Sequence, residues 1–330
     1  MILLWGLMSD NPISAVYCAL HSLGYHDDNN NSDKRILLFF DQQNDLLNTN
    51  IELFVDPKVE GKIEIGDGIK NGYKQIDLSN VTSAYFRPYD WRYLPGIENT
   101  DRNSEQWQHA LFVEDAMLLW SELTSAFIIN RPSASTSNSS KPYQAMQIQS
   151  SAAGFDVPDT LITTDPKAAI EFWKYHGTVI YKSISGVRSI VSRLNSGHLE
   201  DRINDVSWCP TQFQEYVHGN DYRVHVVGEE DVFACKIISE ADDYRYAKRY
   251  GLSTKILSCT IPLDVRERCI SLAKNMGLVL AGIDLRYNPD TNRWYCFEVN
   301  PSPAFTYYQD STGQQIDKAI AQLLIKEDTR

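Results

Sequence analysis

Several features that mark common protein classes are scarce or missing in this sequence. Its 330 residues include six cysteines, and none of them forms a CxxC pair or follows a zinc-finger spacing. No histidine stands where it would make one of them a convincing nucleophile. We therefore expect reduced, mostly buried thiols in a cytoplasmic protein. The cysteines are Cys18, Cys209, Cys235, Cys259, Cys269 and Cys296.

Long apolar runs and an excess of basic residues are missing too. No run approaches the roughly 20 apolar residues that a membrane-spanning helix needs, and the opening MILLWGLMSDNP lacks the basic start and cleavage site of a signal peptide. The net charge is −12 and the pI about 5.0, whereas nucleic acid requires lysine and arginine facing its phosphates. The sequence predicts neither a membrane nor a nucleic-acid partner.

What the sequence contains is a globular balance, 43% hydrophobic and 22% charged, in a chain long enough for two or three lobes. The first lobe is predicted over 1–130. Its apolar runs MILLWG and RILLFF flank a helix capped by Asp10 or Asn11 and ended by Gly24, which favours a parallel sheet. IELFV and SAYFRPYDW are further strand candidates, and 104–128 predicts one long helix. No GxGxxG dinucleotide motif follows MILLWG.

The rest of the chain divides into two further predicted lobes. The small polar residues of NRPSASTSNSSKP, at 130–142, predict a linker. A central lobe over 131–210 contains TVIYKSISGVRSIVSRL, which is typical of two strands around a glycine-containing loop. A third lobe over 211–330 begins with the strand candidates TQFQEYV, DYRVHVVG and DVFACKIIS and ends in a helix at TGQQIDKAIAQLLIK. We find no internal repeat.

The hairpin AGIDLRYNPDTNRWYCFEVNPSPAF, residues 281–305, places polar groups on apolar strands. Because side chains alternate along a strand, Glu298 and Asn300 share a face, and pairing would bring Asp284 beside Glu298. Two carboxylates this close repel each other unless a cation or a proton lies between them. Oxygen ligands from Asp, Glu and Asn suit Mg²⁺. The residues predict a magnesium site; the alternative is a hairpin with one wet face.

Two lysines are candidates for phosphate binding. Lys182 ends an apolar strand, and the loop that follows contains Gly186, which would let the backbone approach a ligand closely. Lys141 precedes Pro142 at a helix start, where the helix N-terminus also favours anions. Each lysine taken alone is equally compatible with a solvated surface position.

The segment FQEYVHGNDYRVHVVG predicts a strand, a break at Gly219 and a second strand. An exposed backbone edge suits a purine and a carboxylate suits ribose hydroxyls, so Glu215 and Asp221 are nucleotide-binding candidates. Their alternative is a pair of hairpin-edge charges. Arg223 alternates out of its apolar strand and suits an anionic oxygen. Two further cations of this lobe are Lys236 and Arg245.

Substrate recognition is predicted mainly in the first lobe. Arg87 and Asp90 follow a strand end in YFRPYDW, where open α/β sheets build binding sites. Arg87 is a candidate for holding a substrate carboxylate, and the alternative is a structural ion pair with Asp90. Tyr307 and Tyr308 would either line an acceptor pocket or pack on the last helix.

The order of these segments resembles the ATP-grasp superfamily over roughly residues 130–325. The elements are a lysine before a helix, a lysine ending a strand before a glycine loop, QEYVHGNDYRV, GIDL and FEVNPSP. ACKIISEADDYR is similar to the lysine strand and Asp–aromatic–Arg element of the branch that contains ribosomal-protein-modifying glutamate ligases and ribosomal-peptide macrocyclases. The resemblance implies an α/β ATP-grasp fold with a Rossmann-like pre-grasp domain, a small central lid lobe and a C-terminal antiparallel sheet.

The resemblance also implies the cofactors ATP and Mg²⁺ and a role for each residue. The ATP site would comprise Lys141, Lys182, Ser185, Gly186, the backbone of Glu215, Tyr216 and Val217, Asp221 on the ribose side, and Lys236. The magnesium ligands would be Asp284, Glu298 and Asn300. The catalytic cations would be Lys182, Arg223 and Arg245. The substrate would contact Arg87, Arg188 and Arg223. The 183–189 loop would cover the phosphates, with its closure depending on Ser183, Ser185 and Arg188 because it has one glycine.

The implied reaction is ATP-dependent ligation of a carboxylate to an amine through an acyl phosphate, with release of ADP. The expected substrate is a peptide or an amino acid, although the tail NPSPAFTYYQDSTGQ differs from the ending typical of either group. Two alternatives remain open at this point: a non-catalytic ATP-binding regulatory protein and a kinase-like phosphotransferase on the same fold. The sequence also leaves the acyl donor, the amine acceptor and homo-oligomerisation open.

Overall fold

The computed structural model describes residues 1–27, 35–66, 73–184, 191–241 and 244–329. In chain order its strands are β1 Ile2–Gly6, β2 His26–Asp27, β3 Ile36–Asp41, β4 Thr49–Val55, β5 Val59–Gly66, β6 Tyr73–Asp77, β7 Ser83–Arg87, β8 Phe127–Ile129, β9 Thr160–Thr163, β10 Val179–Ser183, β11 Ser192–Arg193, β12 Thr211–Glu215, β13 Asn220–Val227, β14 Asp231–Ser239, β15 Thr254–Cys259, β16 Leu280–Asn288 and β17 Arg293–Asn300. Its α-helices are α1 Asn11–Ser22, α2 Gln42–Asp45, α3 Glu105–Leu123, α4 Pro132–Ser135, α5 Lys141–Ser150, α6 Pro166–His176, α7 Ser196–Asp201, α8 Leu263–Asn275, α9 Thr306–Thr312 and α10 Ile316–Asp328. Among these helices, none combines the length and the apolar content required to cross a bilayer.

The first lobe is built on a parallel sheet in the order β2-β3-β1-β7-β8, which confirms the parallel sheet predicted from its apolar runs. Alternation along β1 sends Leu3 and Trp5 into a core shared with α3, and Ile2 and Leu4 into a core shared with α1 and α10. Helices therefore cover both faces of the sheet, and the helix at the end of the chain returns to the first lobe.

Three details of the first lobe differ from the sequence prediction. The IELFV segment belongs to a separate antiparallel sheet, β4-β5-β6. Helix α3 ends at Leu123, because Phe127–Ile129 extends the parallel sheet. The predicted linker is largely helical. Arg131, the residue before α4, donates to the carbonyls of Thr124 and Ala126 at 2.9 and 3.0 Å. These bonds satisfy carbonyls beyond the end of α3 and so hold the linker against that helix.

The central sheet is antiparallel, in the order β11-β10-β12-β9, with α6 packed on it. Residues Thr211–Glu215, assigned from sequence to the third lobe, pair here with β10 and β9. Helix α5, assigned to the central lobe, instead packs on the C-terminal sheet, where Gln144 exchanges two hydrogen bonds with the Val299 backbone at 2.6 and 3.0 Å. Three lobes remain our proposal, with the second boundary moved to follow Glu215.

The C-terminal sheet is antiparallel, in the order β15-β14-β13-β16-β17. One face is apolar and packs against α5 and α8, with Val224, Ile283 and Val299 in its core. The opposite face carries polar side chains of β13, β16 and β17. The register shifts between Asp284 and Leu285, where β17 contributes one extra residue. This polar face is where the predicted magnesium ligands lie.

The cysteines are unpaired, as predicted, although Cys18 and Cys209 are exposed. Burial raises the pKa of the Cys235 thiol to about 11 and that of the Cys269 thiol to about 12. A thiol that stays protonated at neutral pH is a poor nucleophile.

Candidate active site

A row of charged side chains crosses the polar face of the C-terminal sheet. Arg223 on β13 pairs in register with Asp284 on β16, and Asp284 pairs with Glu298 on β17. Asn300 lies two residue pairs further on, opposite Gly282 and on the same face. Paired residues share a face, so the sheet brings together the carboxylates that the hairpin pattern predicted to be neighbours.

Lys141 contributes a positive charge from another element. Its ammonium group donates to the Glu298 carboxylate and, at 2.8 Å, to Asn138 Oδ1. Burial opposes ionisation of Glu298, but Lys141, Lys182 and Arg223 together hold the pKa of its carboxyl below the usual range. The Glu298 carboxyl is therefore ionised, and three cations from separate elements act on it electrostatically.

Arg223 is the most deeply buried cation of this cluster. Its Nη1 donates to Asp284 Oδ1 at 2.7 Å, and its side chain is only 6% exposed. Burial opposes its charge, yet Asp284 and the phenols of Tyr308 and Tyr244 keep the pKa of the guanidinium raised. Burial and Arg223 lower the pKa of His225, whose neutral ring accepts from Arg223 Nε at 3.4 Å. The guanidinium is thus charged and fixed from two sides.

Steric contacts explain why residue 282, in AGIDL, is a glycine. A Cβ on Gly282 would overlap Arg223 Nη2 and would lie 2.7 Å from Pro303 Cβ. The guanidinium therefore lies directly over the Gly282 backbone, in space that any side chain would occupy. Glycine here permits the close approach that places Arg223 beside Asp284.

The donor set fits Mg²⁺. Asp284 and Glu298 each supply a carboxylate that is about one-third exposed, at 32% and 28%, and Asn300 supplies an amide oxygen that accepts from Ser302 N at 2.9 Å. A carbonyl oxygen has a second lone pair, so this bond leaves Asn300 able to ligate. Oxygen-only ligands with two carboxylates are the set that Mg²⁺ prefers.

The predicted nucleotide side of the site contains a residue that the sequence analysis missed. Arg286 grips Asp221 with two hydrogen bonds, at 2.6 and 2.8 Å, and donates to the Val217 carbonyl at 2.8 Å. It also lies over the rings of Phe297 and Tyr216, at 5.1 and 5.7 Å. Arg286 therefore ties the segment after β12 to β13. The sequence did contain a clue to Arg286: in IDLR it stands two residues after Asp284, so alternation along the strand places both side chains on the same face.

The remaining nucleotide-site predictions fall in different places. Lys182 is the next-to-last residue of β10, half-buried and opposite Gln212. Lys236 pairs with Tyr222, so alternation places it on the face packed by α8, away from Arg223. It does not join the cluster. Ser185, Gly186 and Arg188 lie outside the described residues, as does the side chain of Arg245.

Arg87 forms a structural ion pair, but with a different partner from the one considered. Its Nε donates to Asp10 at 2.5 Å, while Asp90 pairs with Arg92 at 2.6 Å. Arg87 Nη1 also donates to Ser302 Oγ at 2.8 Å and to the Pro303 carbonyl at 3.2 Å. Since Ser302 and Pro303 follow β17, Arg87 links the first lobe to the end of that strand. Its guanidinium is already engaged on two sides, which weakens its assignment to a substrate carboxylate.

Tyr307 and Tyr308, which follow β17, differ in their exposure to solvent. Tyr308 is 7% exposed, and its hydroxyl bonds that of Tyr244 at 2.6 Å. Tyr307 is 53% exposed. Tyr308 is thus part of the packing beneath Arg223, whose guanidinium lies 5.5 Å from its ring centre, whereas Tyr307 is accessible.

Known structures share this architecture over nearly the whole chain. The ATP-grasp ligase PsnB complexed with precursor peptide PsnA2 and AMPPNP is 26% identical, with a TM-score of 0.74 over 100% of this chain and 98% of that one. The macrocyclase MdnC bound with precursor peptide MdnA, from Microcystis aeruginosa MRC, is 20% identical, with a TM-score of 0.75 over 98% of this chain and 99% of that one. The fold and the site define an ATP-grasp carboxylate–amine ligase of the ADP-forming class.

A family model described as the RimK-like ATP-grasp domain matches residues 140–324, and the chain belongs to this family. A probable alpha-L-glutamate ligase 2 of Pseudoalteromonas atlantica (strain T6c / ATCC BAA-1087) is 28% identical over 225 residues, which cover 65% of this chain and 72% of the relative. A probable alpha-L-glutamate ligase of Stutzerimonas stutzeri (strain A1501) is 33% identical over 117 residues, 34% of this chain and 37% of that relative.

Proposed function

We propose that this protein uses ATP and Mg²⁺ to activate a carboxylate as an acyl phosphate and to join it to an amine of a peptide or an amino acid. The observation that carries the proposal is the convergence of Asp284, Glu298 and Asn300 with three cations from separate elements. Oxygen ligands beside fixed positive charges are what phosphoryl transfer requires, since its catalysis consists mainly of positioning and charge stabilisation.

The cations would divide the work on ATP between them. Lys141 and Lys182 would hold the phosphates, and the Lys141 ammonium would leave Glu298 for a phosphate oxygen when the nucleotide binds. Mg²⁺ held by Asp284, Glu298 and Asn300 would neutralise charge on the phosphate oxygens. The backbone of Glu215 to Val217 would meet adenine, while Arg286 keeps that segment and Asp221 in position.

The chemistry would run in two displacements. A substrate carboxylate oxygen attacks the γ-phosphorus, the bond to the β–γ bridging oxygen breaks, and ADP leaves with that electron pair. The amine then attacks the acyl carbon, phosphate leaves, and the amine proton passes to phosphate or solvent. Arg223 would stabilise the oxygen that becomes negative in the second step, because its guanidinium is already charged and fixed. The loop after Lys182 would exclude water from the acyl phosphate.

A peptide substrate is favoured by the comparisons. The relatives are named as glutamate ligases, and structural neighbours over nearly the full chain were solved with precursor peptides. We place the reaction in the cytoplasm, where ATP is available and the free thiols stay reduced.

Product analysis tests the proposal. The enzyme is incubated with Mg²⁺–ATP and either free glutamate plus acceptor peptides, or candidate precursor peptides bearing acidic and lysine side chains. We expect ADP and phosphate in equal amounts, together with a peptide that has gained one amino-acid residue or lost one water per cross-link. Activity restricted to sugar or nucleotide acids would overturn the peptide assignment.

The same assay separates the two alternatives. A kinase-like enzyme would yield ADP without free phosphate and a stable phosphorylated substrate. A regulatory ATP-binding protein would bind Mg²⁺–ATP without turnover in any substrate mixture. The retention of all three oxygen ligands and of both lysines favours the ligase over a protein that has lost catalysis.

A further inference from the structure

A second group of potential metal ligands lies at one end of the central sheet and shares no side chain with the magnesium site. It consists of Asp159, His176 and Glu215, and one ligand atom from each lies within 4.8 Å of the others. Asp159 immediately precedes β9, His176 is the last residue of α6, and Glu215 is the last residue of β12.

The topology explains why these residues meet. Strands β9 and β12 are antiparallel, so the start of one adjoins the end of the other. Asp159 and Glu215 are further joined by Glu215 N donating to the Asp159 carbonyl at 3.0 Å and by Asp159 N donating to Glu215 Oε1 at 3.1 Å. Helix α6 packs on these strands and ends above them, because Gly177 follows with a positive φ of 72°.

His176 faces both carboxylates at distances too long for hydrogen bonds. His176 Nε2 lies 3.8 Å from Asp159 Oδ2, and His176 Nδ1 lies 3.8 Å from Glu215 Oε2. An N–H···O hydrogen bond spans about 2.7–3.2 Å. Two ligands with bonds of about 2.1 Å to one tetrahedral metal lie about 3.4 Å apart. One ligand atom from each residue lies within 4.8 Å of the others, so the side chains would close by about 1 Å to meet one metal.

The histidine is held in a fixed orientation while one side stays open. Its side chain is 10% exposed and contacts the rings of Phe172 and Tyr175, with ring centres 4.3 and 4.8 Å away. Asp159 is 69% exposed, so a cation could reach the ligands and keep water in its remaining positions.

We propose that Asp159, His176 and Glu215 bind one transition-metal dication. The imidazole selects the class of metal, since nitrogen ligands suit Zn²⁺, Co²⁺ and Ni²⁺, whereas Mg²⁺ prefers oxygen. Two carboxylates would balance the charge of the dication. Because Glu215 begins the segment assigned to adenine, occupancy would fix that segment and alter the KM for ATP. This consequence, unlike the site itself, rests on the proposed function.

Cobalt titration of the metal-free full-length protein tests the site by absorption and calorimetry. We expect one equivalent of Co²⁺ to bind with a spectrum free of thiolate charge transfer, in the presence of excess Mg²⁺. His176→Gln should weaken binding by at least ~10-fold, and so should Asp159→Asn, whose exposed side chain can change without disturbing the fold. His218→Gln is the matched control, since His218 is 71% exposed and lies beside Asp290, outside the group.

Three results would overturn the proposal: no binding by the wild-type protein, unchanged affinity in both variants, or a thiolate band that assigns the cobalt to exposed Cys18 or Cys209. Turnover of Mg²⁺–ATP measured without cobalt separates this proposal from the preceding one. If the metal site is absent, Asp159→Asn and the wild type still turn over ATP equally. If the ligase assignment is wrong, cobalt binding and its loss on substitution remain.

Discussion

At the scale of single residues, the Lys141–Glu298 contact connects the resting protein to its activity. The ammonium group and the carboxylate neutralise each other in a half-buried place, where an unpaired charge would be costly. In the proposed mechanism, binding of a phosphate and a dication would replace this one pairing by two, Lys141 with phosphate and Glu298 with metal. The site is thus kept charged and ordered before its ligands arrive.

Glu298→Gln should remove one metal ligand with little change in shape. We expect the rate of ADP formation to fall by about two to four decades, because the lost charge acts on the transferring phosphate. Steady-state kinetics at saturating substrates measures this effect. Glu230→Gln is the control, since Glu230 is 82% exposed and remote from the cluster. A variant that matches the wild-type rate would refute the assignment of Glu298 to the metal.

Gly282→Ala should displace Arg223. The new methyl group would occupy the space of Arg223 Nη2 and press on Pro303, so we expect a rate loss of about 100-fold and a destabilisation of about 1–3 kcal/mol. Kinetics and urea unfolding measure the two effects. Gly197→Ala in α7 is the matched control, because its nearest atom is 3.5 Å away. Full activity of Gly282→Ala would mean that Arg223 needs no such placement.

At the scale of elements, Arg286 joins three parts of the nucleotide side of the site. It fixes Asp221 on β13, the Val217 carbonyl after β12 and the ring of Phe297 at the bulge in β17. A lysine could keep the charge but could not repeat the two-pronged grip on Asp221. One guanidinium group therefore holds the segment after β12 against the C-terminal sheet.

Arg286→Lys should raise the KM for ATP about 10-fold and leave kcat within a few-fold, because Arg286 positions the binding segment and does not touch the reacting atoms. Initial rates over a range of ATP concentrations separate the two constants. Arg202→Lys serves as the control, since Arg202 is 72% exposed and pairs locally with Asp205. An equal fall in kcat and kcat/KM would place Arg286 in the chemical step instead.

The sequence predicted elements with a strong local pattern and missed those decided by distant partners. The hairpin β16–β17 and helix α10 were predictable because apolar spacing, turn residues and glycines agree locally. The partner of β12 was not, because pairing depends on strands far apart in the chain. Likewise, Asp10 reaches Arg87 from 77 residues away, so the sequence offered only the nearby Asp90 as an alternative ion-pair partner, and that partner was wrong.

At the scale of the whole molecule, a buried carboxyl in the first lobe couples stability to pH. Glu114 on α3 is 7% exposed and accepts from Gln42 Nε2 at 3.2 Å. Burial is the main cause that raises the pKa of its carboxyl to about 8; the Gln42 hydrogen bond opposes the shift, and Asp115 and Asp90 add to it. Gln42 also bonds both backbone groups of Tyr89, in the loop that follows Arg87.

The sign of the pH effect follows from proton binding. Between the ordinary glutamate value, 4.5, and about 8, the folded protein holds a proton on Glu114 that the unfolded chain has released. Stability from this group is therefore fully present below pH 4.5 and is lost as the pH rises through 8. Glu114→Gln, which cannot ionise, should be more stable than the wild type by about 4 kcal/mol at pH 8.5 and similar at pH 5.

Urea unfolding of the two proteins at several pH values measures this difference. Glu267→Gln on the exposed side of α8 controls for the loss of one negative charge, and its curve should run parallel to the wild type. If the difference between Glu114→Gln and the wild type is the same at pH 5 and pH 8.5, Glu114 does not carry its proton into the neutral range.

Helix α10 ties the ATP-grasp domain to the first lobe. Its residues Ile316, Ile320 and Leu324 are fully buried against α1 and the parallel sheet, although the family match ends within this helix, at residue 324. A recombinant fragment limited to 140–324 would expose these apolar side chains, because it lacks the parallel sheet and α1 that bury them. We expect this fragment to accumulate in inclusion bodies. Anyone dissecting the catalytic unit should keep the amino-terminal lobe attached.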